Sequence, residues 1–470
     1  MCPHTVSPGI LLCNLHKVLY VLLKKPLLCR VFSNEKKGNV FFKSLIIRNT
    51  AGRSRLPRYW EILSVYLLCL TPLLSIALAD QGAVMTSVQG RPQNPTFQVL
   101  DDFVKELMKQ WDIPGASLAV VEGGVLVHWR GFGYADRDRF IPVESDTLFR
   151  IASISKPITA VAVLRLVETG KLSLETTLAE VLPEQVRSVP DTNISKINIR
   201  QLLQHTAGWD DGDHDEVALR NDIRRLARLA GPDGAVTPMD ILTRRLARPL
   251  DYVPGSDHAY SNFGYVVLGR IIEKVCQTPY LDAIRELVFV PVNQDCPILI
   301  GSPWLAQCAP KESCYYDYPD APSTEAALKP GKAVAWPDGG IAIASLDAAL
   351  GCVTSAPCLS RFVDAVFAAR EGRPGLLSKD TLEEILKHPA GAPGADEETY
   401  YGLGWRVKYV DGKPYIWHGG SLPGTSALVV HVPNGSTLAL LMNSRPQAWE
   451  AFNDHLHQIM GKFVHMPINE

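Results

Sequence analysis

Apolar positions along this 470-residue chain switch between two periods. Phe97, Val99, Leu100, Phe103, Val104, Leu107 and Trp111 recur on one helical face until Pro114-Gly115 stops the run. Ala116 to Val121 and Val125 to Gly131 are β-rich and flank Glu122-Gly123-Gly124, which predicts a hairpin. Ile158 to Val167 reads as an apolar helix ended by Gly170. From about 170 to 330 helical segments, charges and loops dominate. Tyr401 to Tyr409, Pro414 to His418, Ser426 to His431 and Ser436 to Met442 then read as strands between Gly and Pro turns, and Trp449 to Phe463 as a closing helix. Strands at both ends with helices between them predict an α+β fold. Its antiparallel sheet is formed from both ends of the domain, at 96–170 and 335–465. Helices flank the sheet, and 170–335 is an inserted, mainly helical part.

The first 80 residues read as targeting rather than fold. Ile62 to Ala79 is apolar and uncharged, follows Arg53, Arg55 and Arg58, and ends in Ala77-Leu78-Ala79 before Asp80. That is the pattern of a signal peptide or a signal anchor, with possible membrane anchoring through 62–79. Residues 1–58 carry eleven Lys or Arg against Glu35 alone, a basic head that also fits a mitochondrial transit sequence. Residues 81–95, polar with Gly, Pro and Gln, read as a linker to a body spanning 96–465. The expected location is secreted or on the lumenal face of a membrane, with a mitochondrial one as the alternative.

Composition narrows the class. Apolar residues make 46 % of the chain and charged ones 20 %, which excludes a disordered chain. Beyond the head, 36 basic residues face 48 acidic ones, an acidic body without a basic stripe, so no nucleic-acid partner is expected. The body holds six cysteines: Cys276, Cys296, Cys308, Cys314, Cys352 and Cys358. Short-loop disulfides are conceivable for Cys308 with Cys314 and for Cys352 with Cys358, although six cysteines allow 15 pairings. Asn193-Ile194-Ser195 and Asn434-Gly435-Ser436 are glycosylation sequons if the body is lumenal. No metal or cofactor motif is present. Asp210 to Glu216 lacks metal-site spacing and reads as a solvated loop.

Three short motifs carry candidate chemistry. Ser153 and Lys156 lie three apart at the start of the apolar helix, so they share a helical face. A serine hydroxyl needs a neighbouring base, and a lysine can serve where burial or nearby positive charge keeps part of it neutral. Ser33 and Lys36, in the head, repeat the spacing without that context. Tyr260-Ser261-Asn262 precedes a second apolar helix, Tyr265 to Val275. A tyrosine beside a lysine cation loses its proton more easily, and the Asn262 amide can hold a substrate carbonyl and the lysine. Trp417-His418-Gly419-Gly420 ends a predicted strand, where glycine lets substrate backbone approach closely. His205, in a turn after a helix, reads as structural.

With these motifs in this order the chain resembles the class C β-lactamase and penicillin-binding-protein group of serine hydrolases. That group takes in D-aminopeptidases, DD-carboxypeptidases, esterases and animal β-lactamase-like proteins. Leu202 to Gly208, Tyr401-Gly402-Leu403-Gly404-Trp405 and Pro423-Gly424 match lesser features of the group, and the resemblance covers about residues 97–462. It implies the β-lactamase/transpeptidase-like fold and an acyl-enzyme mechanism. Ser153 would attack a carbonyl, Lys156 and Tyr260 would shuttle its proton, and the backbone N–H groups of Ser153 and Ser421 would form the oxyanion hole. Substrate would lie against Asn262, His418, Gly419, Gly420 and Ser421.

One position departs from the lactamase pattern. His418-Gly419-Gly420 stands where those enzymes carry Lys-Thr-Gly, and a histidine is not a permanent cation near neutral pH. That favours an ester, amide or D-amino-acid peptide bond in a small-molecule or peptide substrate. A weak β-lactamase and a catalytically silent scaffold or ligand-binding member remain open. The 296–340 region, with Tyr315, Tyr316 and Tyr318, is a candidate rim of the pocket.

Overall fold

A computed structural model describes residues 88–90, 95–210, 213–231, 235–292, 296–389 and 399–464. The chain divides into two units, Met1–Asp80 and Gln81–Glu470. The first, with the expected signal segment and basic head, lies outside the described residues. The second holds every element named below.

Strand β1 (Val88–Gly90) leads into helix α1 (Gln98–Trp111), whose Leu100, Phe103, Val104 and Leu107 form the buried stripe that the sequence pattern predicts. The hairpin follows as β2 (Gly115–Glu122) and β3 (Val125–Asp136). Helix α2 (Ser155–Glu168) is buried along most of its length, which explains why its sequence is apolar all round rather than striped. The helical part includes α3 (Asp213–Ala230), α4 (Pro238–Leu246) and α5 (Asn262–Cys276). Helix α6 (Ala356–Phe367) brings the chain back to the sheet. The final strands are β4 (Thr399–Tyr401), β5 (Arg406–Val410), β6 (Lys413–Leu422), β7 (Thr425–His431) and β8 (Ser436–Met442), and α7 (Trp449–Val464) closes the body.

The sheet runs β1-β3-β2-β8-β7-β6-β5-β4, every pair antiparallel. Leu440 of β8 faces Leu118 of β2, so the two ends of the body meet at its centre, as the strand pattern predicts. Alternation sorts the two faces. Leu118, Val120, Leu428, Val430, Leu438 and Leu440 pack under α1 and α7. Ala119, Ala427, Val429, Ala439 and Leu441 face the larger core that contains α2, α5 and α6.

Four expectations need correction. The linker at 81–95 includes an edge strand, since Val88–Gly90 pairs with Arg130–Phe132 of β3. The solvated loop expected at 210–216 gives way to α3 from Asp213 onward. The single strand expected from Tyr401 to Tyr409 is two strands. Gly402 and Gly404 turn the chain inward between them, and a Cβ at Gly404 (φ +87°) would overlap Ala160 of α2. Finally, the disulfide joins Cys296 to Cys358 across a Cα separation of 5.4 Å. Cys308, Cys314 and Cys352 are thiols. Pairing of Ile300 with Cys352 carries the Cys296 segment beside the first turn of α6, where Cys358 sits.

Candidate active site

Ser153 lies in a single tight turn, Ala152–Ile154, directly before α2. The turn is strained: Ala152 has φ +49°, a conformation that costs a non-glycine residue about 1–3 kcal/mol. Several bonds impose it. The Ile151 N–H donates to the Cys352 carbonyl (3.1 Å), and Thr425 Oγ1 donates to the Arg150 carbonyl (3.0 Å). Ser155 Oγ donates to the Ala152 carbonyl (2.7 Å) while accepting from the Cys352 N–H (3.0 Å). The result is a half-buried serine on a rigid corner rather than on the helix proper.

Lys156, one turn on, is fully buried. Its Nζ lies 3.1 Å from Ser153 Oγ and donates to Asn262 Oδ1 (2.8 Å) and to the Ala349 carbonyl (3.0 Å). Ala349 belongs to a short helix, Asp347–Leu350, tied down by Arg270 on Asp347 at 2.7 Å. Nζ also sits 4.7 Å from the centre of the Tyr260 ring. The structure thus brings Ser153 and Lys156 together with Tyr260 and Asn262, from two segments far apart in sequence.

The Tyr260–Asn262 motif is held by His205. Its backbone is left-handed (φ +59°), and Nδ1 accepts the Ser261 N–H at 3.1 Å. Its ring packs against Tyr260 (4.3 Å between centres) and Tyr401 (4.4 Å). Ser261 in turn caps α5 by accepting the Gly264 N–H (3.0 Å). Burial and then the Lys156 charge hold His205 well below the ordinary histidine range, so it is a neutral ring.

His418 is also buried on β6. Its Nε2 is 3.0 Å from the Tyr401 hydroxyl and its Nδ1 is 2.7 Å from the Gly419 carbonyl. A carbonyl only accepts, so Nδ1 carries the proton and Nε2 accepts from Tyr401. Burial, Lys156 and Arg406 push its affinity for a second proton well down. Both ring nitrogens are thus engaged within the protein, and the ring brings no cation to the pocket.

The two glycines differ. A Cβ at Gly420 would overlap the Ile151 carbonyl oxygen, so this position lets β6 press on the turn that carries Ser153. On its Cβ side the close approach is made by the protein's own backbone. At Gly419 a Cβ would meet only the Ala427 carbonyl, at 3.9 Å. Ser421 is half-buried at the open end of β6.

The sequence profile of the Beta-lactamase family matches residues 100–459. The chain belongs to the Beta-lactamase family. It is similar to Esterase EstB of Burkholderia gladioli, 30 % identical over 66 % of this chain and 78 % of the relative. It is similar to Penicillin-binding protein 4 of Amycolatopsis lactamdurans, 26 % identical over 77 % of this chain and 89 % of the relative. The solved D-amino acid amidase of Ochrobactrum anthropi SV3 complexed with D-phenylalanine superposes with a TM-score of 0.61. It is 22 % identical, covers 79 % of this chain and 99 % of its own, and shares the fold. The fold and serine-hydrolase class expected from the motifs are those of this family.

Within this Beta-lactamase-family site, two contributors have weak sequence signatures. Tyr401, of the Tyr-Gly-Leu-Gly-Trp run, contacts His205, Tyr260 and His418 at once. The Ala349 carbonyl has no signature, because any residue would supply it. Among the described residues no group of three His, Cys, Asp or Glu side chains converges to hold a metal ion.

Proposed function

We propose that Ser153 is the nucleophile of an acyl-enzyme hydrolase acting on small esters, amides or D-amino-acid peptide bonds. The observation that carries this reading is the bond set around Lys156. Asn262 Oδ1 and the Ala349 carbonyl accept but cannot donate. In the neutral amine two N–H groups stay on these acceptors, and the lone pair falls to the Ser153 hydroxyl. The hydroxyl proton then passes to Nζ as Oγ attacks the carbonyl carbon. The N–H groups of Ser153 and Ser421 receive the oxyanion, a contribution of about 2.7–4 kcal/mol per donor in comparable sites. Lys156 and Tyr260 return the proton to the leaving group. Water then attacks the acyl carbon, its proton passing through the Tyr260 hydroxyl to Lys156, and Lys156 returns a proton to Ser153 Oγ as the acid is released.

The esterase and amidase names among the relatives support this substrate class, as does the uncharged His418. Export of the body, cleaved or anchored at 62–79, accompanies the proposal. The Cys296–Cys358 disulfide and the exposed Asn434 of its sequon support it. The test is intact-mass spectrometry of the full chain and Ser153→Ala after exposure to a fluorescent penicillin and an activated ester. A Ser153-dependent adduct, with turnover at least about 1,000-fold lower in the variant, is expected. Folded wild type that forms no adduct with either reagent would make the chain a silent binding member.

A further inference from the structure

We propose that Arg150, with Tyr315 and Glu312, is a positioning group of the active site: it holds the Ser153 turn in register with the end of β6, so that the Ser153 and Ser421 N–H groups converge on one oxyanion. This rests on the hydrolase reading above and adds residues to that same site. Arg150 lies three residues before Ser153 and is buried. Its guanidinium reaches two separate loops. Nη1 donates to the Pro337 carbonyl and Nη2 to the Ser302 carbonyl, both at 2.8 Å. Its backbone is fixed on both sides. The N–H donates to Tyr315 Oη (2.7 Å), and the carbonyl accepts Thr425 Oγ1 (3.0 Å) at the start of β7. Three of these partners surround the β6–β7 corner. Thr425 begins β7 directly after Gly424, and a Cβ at Gly424 would overlap the Pro337 ring and Tyr315 Cβ. Ser421 lies three residues ahead of Gly424. One residue therefore ties the nucleophile's turn to the strand end that would carry the second oxyanion donor.

The network behind Arg150 is buried and closed. Glu312 Oε1 accepts the Tyr315 hydroxyl at 2.9 Å and lies 3.8 Å from Arg150 Nε, and the two charged side chains are 2 % and 1 % exposed. The guanidinium also stacks on the Tyr315 ring, 4.1 Å from its centre. Burial, reinforced by the Glu312 charge, holds the Tyr315 hydroxyl well above the ordinary tyrosine range, so it keeps the proton that it donates. Glu312 Oε2 accepts the Ala309 N–H (3.0 Å), while Leu148 bonds through its N–H to the Lys311 carbonyl and through its carbonyl to the Ser313 N–H. Tyr315, a candidate for the pocket rim in the sequence, is instead buried behind the nucleophile's turn. A buried ion pair is weak support for stability, because taking two charges out of water can cost more than their attraction returns. What this one supplies is geometry. Its bonds fix three segments against the strained Ala152 corner, and such strain persists only where the surroundings over-determine it. A reacting group is held precisely when the residues behind it are locked in this way.

The test compares wild type, Arg150→Lys and Tyr315→Phe with two probes, p-nitrophenyl butyrate and phenylboronic acid. The boronic acid takes Ser153 Oγ on boron and places a hydroxyl where the oxyanion develops. Lysine keeps a charge beside Glu312 but cannot reach both carbonyls, and phenylalanine removes a single hydroxyl. The kcat should fall about 10- to 100-fold in Arg150→Lys and about 3- to 10-fold in Tyr315→Phe, the scale of a displacement of up to about 1 Å. Both acylation and deacylation pass through the oxyanion, so kcat falls whichever step limits it. Affinity for phenylboronic acid should drop by the same factors, while binding of the uncleaved ester to Ser153→Ala should change less than about twofold when Arg150→Lys is added. A folded Arg150→Lys with a lower thermal midpoint but unchanged kcat and boronate affinity would overturn the proposal and make the network a brace of the fold. Equal losses for the bound ester and the boronate would overturn it too. If Arg150→Lys does not fold, Tyr315→Phe decides by the same criteria. Wild type that neither cleaves the ester nor binds the boronate through Ser153 would remove the hydrolase reading and this proposal with it. Active wild type with unchanged variants would remove this proposal alone.

Discussion

Lys156 and His418 are both basic, both shut away from solvent and both within one site, yet the structure treats them in opposite ways. Around Lys156 the turn, α5 and the Asp347–Leu350 helix each contribute one oxygen, so the amine is held by polar groups chosen for it. Around His418 a hydroxyl and a neighbouring carbonyl saturate the ring, and two glycines follow it. On the serine side the identity of side chains carries the chemistry. On the β6 side the backbone does, and side chains are erased or neutralised to let it. The strain at Ala152 belongs to the first region, where four hydrogen bonds hold one corner in place.

The contrast breaks most sharply at Lys156. A buried ammonium carries a large desolvation cost, which an apolar side chain of similar volume removes. Here the Ala349 carbonyl and Asn262 amide would lose a partner, which offsets part of that gain. Lys156→Met should therefore cost at least about 1,000-fold in kcat/KM while leaving stability unchanged or raised by about 1 kcal/mol. Kinetics and chemical denaturation on the same preparation measure both. A loss of more than about 2 kcal/mol would mean that Lys156 is a structural brace.

The second prediction turns on protons. His205 and His418 are held neutral in the fold by burial first and by Lys156 next, while in the unfolded chain each titrates near 6.5. A depressed histidine value means that the unfolded chain binds more protons below that pH. The stability from each ring is complete above about pH 6.5. It is lost as pH falls toward the folded value, at about 1.4 kcal/mol per unit. Between pH 7.5 and 5.5 the two together should lower the unfolding free energy by about 2–3 kcal/mol. His258, His431 and His457 are shifted in the same direction and add to the slope. Urea denaturation at the two pH values, repeated on His418→Asn, isolates one ring. The variant should lose about half of the two-ring effect, and an identical slope would mean that His418 is already charged in the fold.

Much of this architecture is legible in the residues. Short β-rich runs between Gly and Pro turns give β2, β3, β7 and β8, and the spacings of Ser153 with Lys156 and of Tyr260 with Asn262 give the serine side. What escapes the sequence is of three kinds. Backbone partners such as the Ala349 carbonyl have no residue code. Residues whose role depends on distant packing, such as His205 beneath Ser261 and Tyr401 on His418, look like ordinary turn and strand positions. Pairings set by three-dimensional proximity, such as Cys296 with Cys358, are invisible to spacing along the chain. Gly402 and Gly404 mark the split between β4 and β5, but its cause is contact with Ile385 and α2.

The smallest effect belongs to Gly419, and it tests whether the backbone side of the site is as permissive as its geometry implies. Its neighbour Gly420 has no room for a side chain, because the Ile151 carbonyl occupies that space. Side chains alternate along a strand, so a methyl at 419 points to the other face, where its nearest neighbour is the Ala427 carbonyl at 3.9 Å, ordinary contact distance. Its φ lies outside the left-handed region, so alanine is unstrained there. Gly419→Ala should change stability by no more than about 0.5 kcal/mol and, by the same token, kcat/KM by less than about threefold. Thermal unfolding and ester hydrolysis decide it. A large loss of activity with stability intact would show that substrate runs along the 419 face of β6. The glycine would then serve the substrate's approach rather than the protein's own packing, and the line drawn between the two regions would have to move by one residue.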